Sequence, residues 1–269
     1  RLVAVQEAMV RRIVGELREF DNVFYEIANE PYFGGVTLDW QAHIARVIQD
    51  TDPTRLIAQN IANGSKKIDD PNPLVSLFNF HYARPPETVA VNWGLNKAIG
   101  CDETGFDGVA DAPYRIQGWD FLVAGGALYN NLDYSFTVGH EDGSFVYPDT
   151  QPGGGGSTLQ RQLRTLRDFF AGLDFLRMAP DAFVIRGGAP AGASARALSQ
   201  PGKVYVIYVH HGRRMRDAKP PYVVEAGPHR IRLELNLPAG AWRFEWLNTK
   251  TGKVDQRGRL AGKTLESPN

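Results

Sequence analysis

The sequence predicts an α/β fold followed by an all-β module, on three observations. Amphipathic helical periods alternate with short apolar runs over the first two thirds of the 269 residues. Those runs end in polar side chains. After Pro180 the helical period fades, and strands separated by Gly, Pro and Asn turns take over. Repeated strand–helix units imply parallel strands joined by crossovers, and the later run implies a small antiparallel β-sandwich. The expected boundary lies near residues 176–182, giving an α/β part over 1–176 and a β part over 177–269.

The elements follow in order. "QEAMVRRIVGELREF" puts Ala8, Met9, Ile13, Leu17 and Phe20 at helical spacing. A strand is expected over 23–27, then a helix over 39–50 with Asp39 as N-cap. Further strands are expected at 55–60, 74–82 and 97–105, a helix at 118–131, a fifth strand at 132–138 and a last helix at 158–173. "QPGGGGS" (151–157) reads as a long loop before that helix, and it lacks the Lys-Ser/Thr of a phosphate loop.

The stretch "NVFYEIANEP" raises the functional question. Val23, Phe24, Tyr25 and Ile27 read as a buried strand that stops at Asn29, Glu30 and Pro31. Proline alone explains the stop, because it cannot donate to a ladder and restricts its predecessor. Chemistry explains it too, since α/β folds place reacting groups at the C-terminal ends of parallel strands. The other strands favour the second reading: they end in Gln59-Asn60, His81-Tyr82 and Asp102-Glu103, and the last lies near Tyr134, Phe136 and His140. Two carboxylates across such a pocket suit glycosidic bond cleavage, one protonating the leaving oxygen and the other attacking the anomeric carbon or activating water. Asn29 can reach a sugar hydroxyl, and Tyr82 can donate to an ionised Glu103.

Composition narrows the alternatives. Thirty Lys/Arg balance thirty Asp/Glu, so no global field points to nucleic acid or to a membrane. The balance hides a basic stretch, Gly202–Lys263, with 13 Lys/Arg against 5 Asp/Glu. Without interleaved stacking aromatics it reads as a solvated strand face. His210-His211 beside Arg213, Arg214 and Arg216 reads likewise as a solvated turn, since neighbours in a strand face opposite ways. The single Cys101 excludes an internal disulfide and reads as a packing residue. Asp102 is expected to point away from the pocket. No metal-ligand spacing appears, and neither a metal nor an organic cofactor is expected. No apolar run reaches 18 residues and no leader opens the chain, which begins at Arg1 within an expected helix.

In order, "NEP", "NFHY" and "DETG" resemble the large clan of retaining glycoside hydrolases built on a (β/α)8 barrel, the clan of many cellulases and mannanases. The resemblance covers roughly residues 1–176. It implies a partial TIM barrel, about strands four to eight. Glu30 would be the acid/base, Asn29 its neighbour at the sugar 2-hydroxyl, and Glu103 the nucleophile. His81, Tyr82, Asn60, Trp119 and Tyr134 would line the substrate site; the clan's platform on the eighth strand is often Trp, and here Tyr134 and Phe136 are available in that strand while Trp119 lies just after the seventh. "VYVIYVHHG…LNLPAGAWRFEWLNTKTGKV" looks like the β domain, often labelled collagen-binding, of related bacterial glycosidases; packing against the barrel is the expectation here.

The resemblance also implies secretion or a periplasmic location. A complete barrel takes eight strands and about 250 residues. The expectation is therefore a fragment, or a short variant that closes its site by self-association or with an N-terminal partner segment. The alternative to an enzyme is a non-catalytic carbohydrate-binding protein or an inactive remnant. An esterase suffers from lacking a Ser in a nucleophile elbow.

Overall fold

The computed structural model describes residues 1–146, 152, 154–227, 229–260 and 262–268. The chain divides into two compact units. The first holds Arg1–Ala83, Glu87–Asp102 and Gly126–Leu128; the second holds Arg84–Pro86, Glu103–Gly125 and Tyr129–Asn269.

A curled parallel sheet of five strands organises the α/β part, in the order β1-β2-β3-β4-β5. These strands are β1 (Tyr25–Glu26), β2 (Ile57–Asn63), β3 (Leu77–His81), β4 (Ala98–Glu103) and β5 (Leu128–Tyr129). Sequence order equals spatial order, as successive crossovers of one hand require. Glu26 is in register with Ala58, and Asn60 with Asn79. Period-2 alternation then gives the sheet two chemically different faces. Ile57, Phe78, Phe80, Ile99 and Cys101 fall on one and are buried. Gln59 shares it and donates to Gln41 at 2.8 Å on α2 (Leu38–Thr51), which marks this face as the one under the helices. Glu26, Asn60, Asn79, His81 and Asp102 fall on the other.

The helices differ from expectation in instructive ways. α1 spans Leu2–Glu16 and buries Val14. Leu2, Val5, Met9 and Ile13, the apolar stripe, are exposed. Trp40 Nε1 donating to Gln6 (3.2 Å) and His43 bonded to Glu7 (2.8 Å) hold α1 on α2 by its polar flank instead. The N-cap of α2 is Thr37, whose hydroxyl accepts from the Trp40 amide at 3.2 Å; Asp39 sits one residue inside the helix, where its charge meets the positive end of the dipole. α3 (Glu87–Asn92) is short. α4 spans Asp111–Val123 rather than 118–131, and β5 lies at 128–129 rather than 132–138. Gly125 and Gly126 break the helical period early, and Gly125 takes φ +96°. Residues 132–138 form the loop after β5, with one isolated bridge between Thr137 and His140.

The second unit packs α4 and α5 (Gly156–Ala171) with antiparallel strands. Its ladders are β6 (Ala179–Pro180), β8 (Ser194–Gln200) and β9 (Val204–His210); β7 (Ile185–Gly187), β12 (Arg232–Leu235) and β15 (Thr264–Glu266); β13 (Trp242–Leu247) with β14 (Val254–Leu260); and β10 (Gly212–Arg214) with β11 (Tyr222–Val224). Trp119, Val123, Leu166, Phe170, Leu198 and Val206 form one apolar cluster, and Val184, Ala197, Leu233, Leu235 and Leu237 another. Arg196 on β8 meets Asp120 on α4 at 2.7 Å, with His210 Nε2 at 3.4 Å from the same carboxylate. Burial pushes the Tyr208 hydroxyl far up and the Arg115 guanidinium down. His210 and His211 are buried rather than solvated, and His211 stacks on His229 at 3.6 Å. Burial first, and His229 second, lower the His211 pKa. The glycine-rich stretch begins at residue 151, outside the described residues; within it, Gly154 lies against the Tyr114 ring so closely that a Cβ would come within 1.9 Å.

One polar cluster fixes the segment that leads into β1. Asp52, at the end of α2, accepts from the Thr54 hydroxyl (2.6 Å) and amide (3.0 Å) and from Arg55 Nε (3.1 Å). The same guanidinium donates to the carbonyls of Arg18 and Phe20. The Thr54 hydroxyl, with Arg55, holds the Asp52 carboxyl below its usual range. The folded state therefore binds that proton more weakly than the unfolded chain, and the stabilisation is present above about pH 4 and lost as pH falls through the folded value. Asp52→Asn should lower Tm at pH 7, and thermal scans should show the gap to wild type closing below about pH 4.

Candidate functional site

The polar face of the first unit's sheet gathers its side chains around one buried histidine. His81 ends β3 and is 1% exposed. Its Nδ1 lies 3.0 Å from Glu30 Oε1 and its Nε2 lies 3.4 Å from Asp102 Oδ1. Asn79, two residues earlier on the same face, donates to Glu26 Oε2 at 2.7 Å and accepts from the Asp102 amide at 3.2 Å. Asn79 thus joins β1 to β4 across β3 with both ends of one amide.

Backbone conformation adds a second mark. Glu30 (φ +43°) and Tyr82 (φ +53°) both take left-handed conformations. Such residues are strained when they carry a Cβ, and strain of this kind clusters at functional sites. Glu30 opens the turn after β1, its carbonyl accepting from Phe33 N at 3.1 Å. The Tyr32 hydroxyl donates to Asn63 at the end of β2 and ties that turn down. Tyr82 stands edge-on to His81, ring centres 6.0 Å apart.

The chemistry follows from the ring's two neighbours. The hydrogen bond runs between Nδ1 and Glu30, while Asp102 places a carboxylate oxygen 3.4 Å from Nε2, and the ring's tautomer sets which partner donates. With the proton on Nε2, Nδ1 accepts from a protonated Glu30; with it on Nδ1, the ring donates to the Glu30 carboxylate. Protonated at both nitrogens, the ring donates to both acids. Glu30 thereby has a partner in either of its protonation states, which an acid that becomes a base requires.

The sequence-derived residues fall as follows. Glu30 and His81 come together within hydrogen-bonding reach. Asn29 is exposed beside Glu30, and Tyr82 follows His81. Asn60 lies within β2 rather than at its end, next to a register shift between Asn60 and Ala62. It is buried, and neither side-chain atom has a hydrogen-bond partner among the described residues. Asp102 was expected to point away; it faces His81 instead, because alternation along β4 puts it on the same face as Asn79 and His81. Glu103 ends β4 and belongs to the second unit. Trp119 is corrected outright. It is 3% exposed in the middle of α4, between Phe169, Phe170 and Tyr208, and packs in the core instead of meeting substrate. Tyr134 is 44% exposed in the loop after β5.

Sequence reasoning missed Glu26 and Asn79. Both sit inside apolar runs, "FYEI" and "LFNF", and a polar residue at every second position of such a run was the available signal. Glu26, His81 and Asp102 also bring three possible ligand atoms within 4.8 Å of one another, a nitrogen-and-two-carboxylate set that could hold a divalent ion. Replacing His81 with Phe keeps the volume and leaves two partly buried carboxylates without the ring. We expect a loss of roughly 2 kcal/mol, read as a lower denaturant midpoint at pH 7.

No family model matches the chain, and no curated protein resembles it in sequence. Solved structures do resemble it in fold. A glycoside hydrolase superposes with a TM-score of 0.68 at 13% identity, over 99% of this chain and 65% of its own. A glycoside hydrolase family 5 structure from Bacteroides vulgatus gives 0.62 at 14% identity, over 98% of this chain and 62% of its own. The chain thus spans less than two thirds of these neighbours' lengths. The likeness establishes a glycosidase-like fold.

Proposed function

We propose that this chain carries the catalytic carboxylates of a retaining glycoside hydrolase acting on β-linked polysaccharide or oligosaccharide. The observation that carries the reading is the buried His81 held against Glu30 at the C-terminal end of a parallel strand. In this reading Glu30 protonates the glycosidic oxygen while Glu103 attacks the anomeric carbon. Glu30, now ionised, then takes a proton from the water that releases the glycosyl-enzyme. Asn29 meets the 2-hydroxyl. Tyr82 and Tyr134 line the site, and the unpartnered amide of Asn60 supports a place for it there. The sheet is then strands four to eight of a TIM barrel, and the strands beyond it form a β-sandwich.

Two matched variants test the roles. Glu103→Ala should abolish turnover of every substrate. Glu30→Ala should spare aryl glycosides with good leaving groups, which need little proton assistance, and added azide should restore part of the lost rate. Proton NMR of the first product should show the anomer of the substrate. Equal losses on all substrates with no rescue would reject the assignment.

A competing nucleophile deserves a control, because Asp102 contacts His81. Asp102→Asn, which removes a charge 3.4 Å from His81 Nε2, should slow turnover while leaving a measurable rate whose pH profile is displaced. If azide instead rescues Asp102→Ala and Glu103→Ala keeps its rate, Asp102 is the nucleophile.

The barrel is proposed to be completed by a second copy of the chain or by an N-terminal segment. Among the described residues β1 pairs only with β2 in the sheet, and Leu2, Val5, Met9 and Ile13 are exposed. Several hundred Å² of such surface in water forfeits on the order of 10 kcal/mol. Light scattering should find an oligomer, with specific activity falling on dilution. A monomer at all concentrations with undiminished activity would reject completion in trans.

A further inference from the structure

Arg115 carries a buried charge that no acid among the described residues pairs with. It lies on α4, 7% exposed, and its Nη1 donates to Gln162 Oε1 at 2.9 Å. Its Nε has no hydrogen-bond partner among the described residues. Asp120, on the same helix, is taken by Arg196 at 2.7 Å. Burial depresses the Arg115 pKa, and Asp111, one turn earlier, opposes this only from beyond ion-pair distance. A guanidinium held out of water is costly unless an anion faces it.

Two more donors stand beside it without acceptors. Trp119 is four residues further along α4, on the same helix face, and its buried Nε1 has no partner among the described residues. His210 Nδ1 accepts from the Gly212 amide at 3.1 Å, which places the proton of the neutral ring on Nε2. That nitrogen stands 3.4 Å from Asp120 Oδ1 and makes no hydrogen bond among the described residues. Tyr208 ties the group together, its ring centre 5.9 Å from that of Trp119 and 5.3 Å from that of His210. All three unanswered groups are donors, so what they lack is an acceptor.

Arg115, Trp119 and His210 line one cavity of about 740 Å³, a size usual for small-ligand sites. It exists because β9 and β13, whose residues line its length, are outer strands of separate sheets and do not pair with each other. Phe169, Leu173, Val206 and Leu247 give it apolar walls. We propose that this cavity binds an organic monocarboxylate with an apolar body, a fatty or aryl acid, whose carboxylate meets Arg115 and Trp119 Nε1. Gln162 occupies Nη1, which leaves the Nε edge of the guanidinium fork for the two carboxylate oxygens. One buried cation balances one negative charge, and a phosphate dianion would stay partly uncompensated. A sugar acid would set its hydroxyls against leucine and valine without partners. The site involves neither Glu30 nor Glu103.

Calorimetry and thermal scans on the full chain test this. The probes are octanoate and naphthoate, with octanol and naphthol as uncharged counterparts and inorganic phosphate as a polar anion. Wild type should bind at least one acid about tenfold or more tightly than its alcohol or phosphate, and that acid should raise Tm. Arg115→Met combined with Gln162→Leu removes the charge and its partner together, so Tm without ligand should equal or exceed that of wild type. In that protein the acid should lose its advantage over the alcohol. Added salt should change the acid's affinity little, because a buried pair is weakly screened. Four results overturn the proposal: no acid binding, equal binding of acid and alcohol, tighter binding of phosphate, or an acid preference that survives the double substitution. So does a preference that salt abolishes, which would place the acid on the exposed Lys203, Arg243 and Lys250 that also line the cavity. Should the double variant not fold, Trp119→Phe decides, since it keeps the ring packing and deletes one donor. Its affinity for the acid should fall several-fold, and an unchanged affinity overturns the proposal as well.

Discussion

Alternation along parallel strands is the constraint on which the first unit rests. A strand covered by helices on one face must be apolar there, and its other face is free to carry polar groups only if they satisfy one another. Here the apolar face takes Ile57, Phe78, Phe80, Ile99 and Cys101. The polar face takes Glu26, Asn79, His81 and Asp102, with Glu30 brought in from the turn after β1. Asn79 on β3 links them: its amide donates past β2 to Glu26 on β1 and accepts from the Asp102 amide on the adjacent β4. A leucine in its place would leave the Asp102 amide and the Glu26 carboxylate each short of a partner.

That same constraint explains what the sequence made legible. Strands two to four were found nearly in register because their apolar runs are long and end in turn residues. Glu30 and His81 stand out in the sequence because polar residues interrupt the apolar pattern there, His81 at the end of β3 and Glu30 in the turn after β1. The direction of Asp102 follows the strand's buried residues, which Glu103 at the strand's end does not reveal. Counting from Ile99 and Cys101 puts Asp102 on the opposite face, with His81. The fifth strand was misplaced because "LDYSFTV" alternates well on paper, whereas Gly125 and Gly126 end α4 early and leave the strand to "LY".

Trp119 failed for a different reason. Lying just past an expected strand end, it looks available to a sugar, yet α4 begins at Asp111 and its third and fourth turns run through the core of the second unit. Sequence gives proximity along the chain, and helix phase decides the direction. Phe106, whose backbone takes φ +62°, is the converse case. Nothing in "DETGFDGVAD" distinguishes its phenylalanine, because a positive φ at a non-glycine residue follows from how the flanking groups are anchored.

The two strained acidic and aromatic positions therefore have a common physical basis. Glu30 is held by a hydrogen bond to a buried ring, and Phe106 is held by a buried ion pair one residue away. In each, the side chain sits in a left-handed backbone conformation beside a buried polar network. Buried polar groups contribute little to net stability once their desolvation is counted. They do restrict the number of arrangements in which every group is satisfied, and near Glu30 and Phe106 that restriction is what fixes the side chains in space.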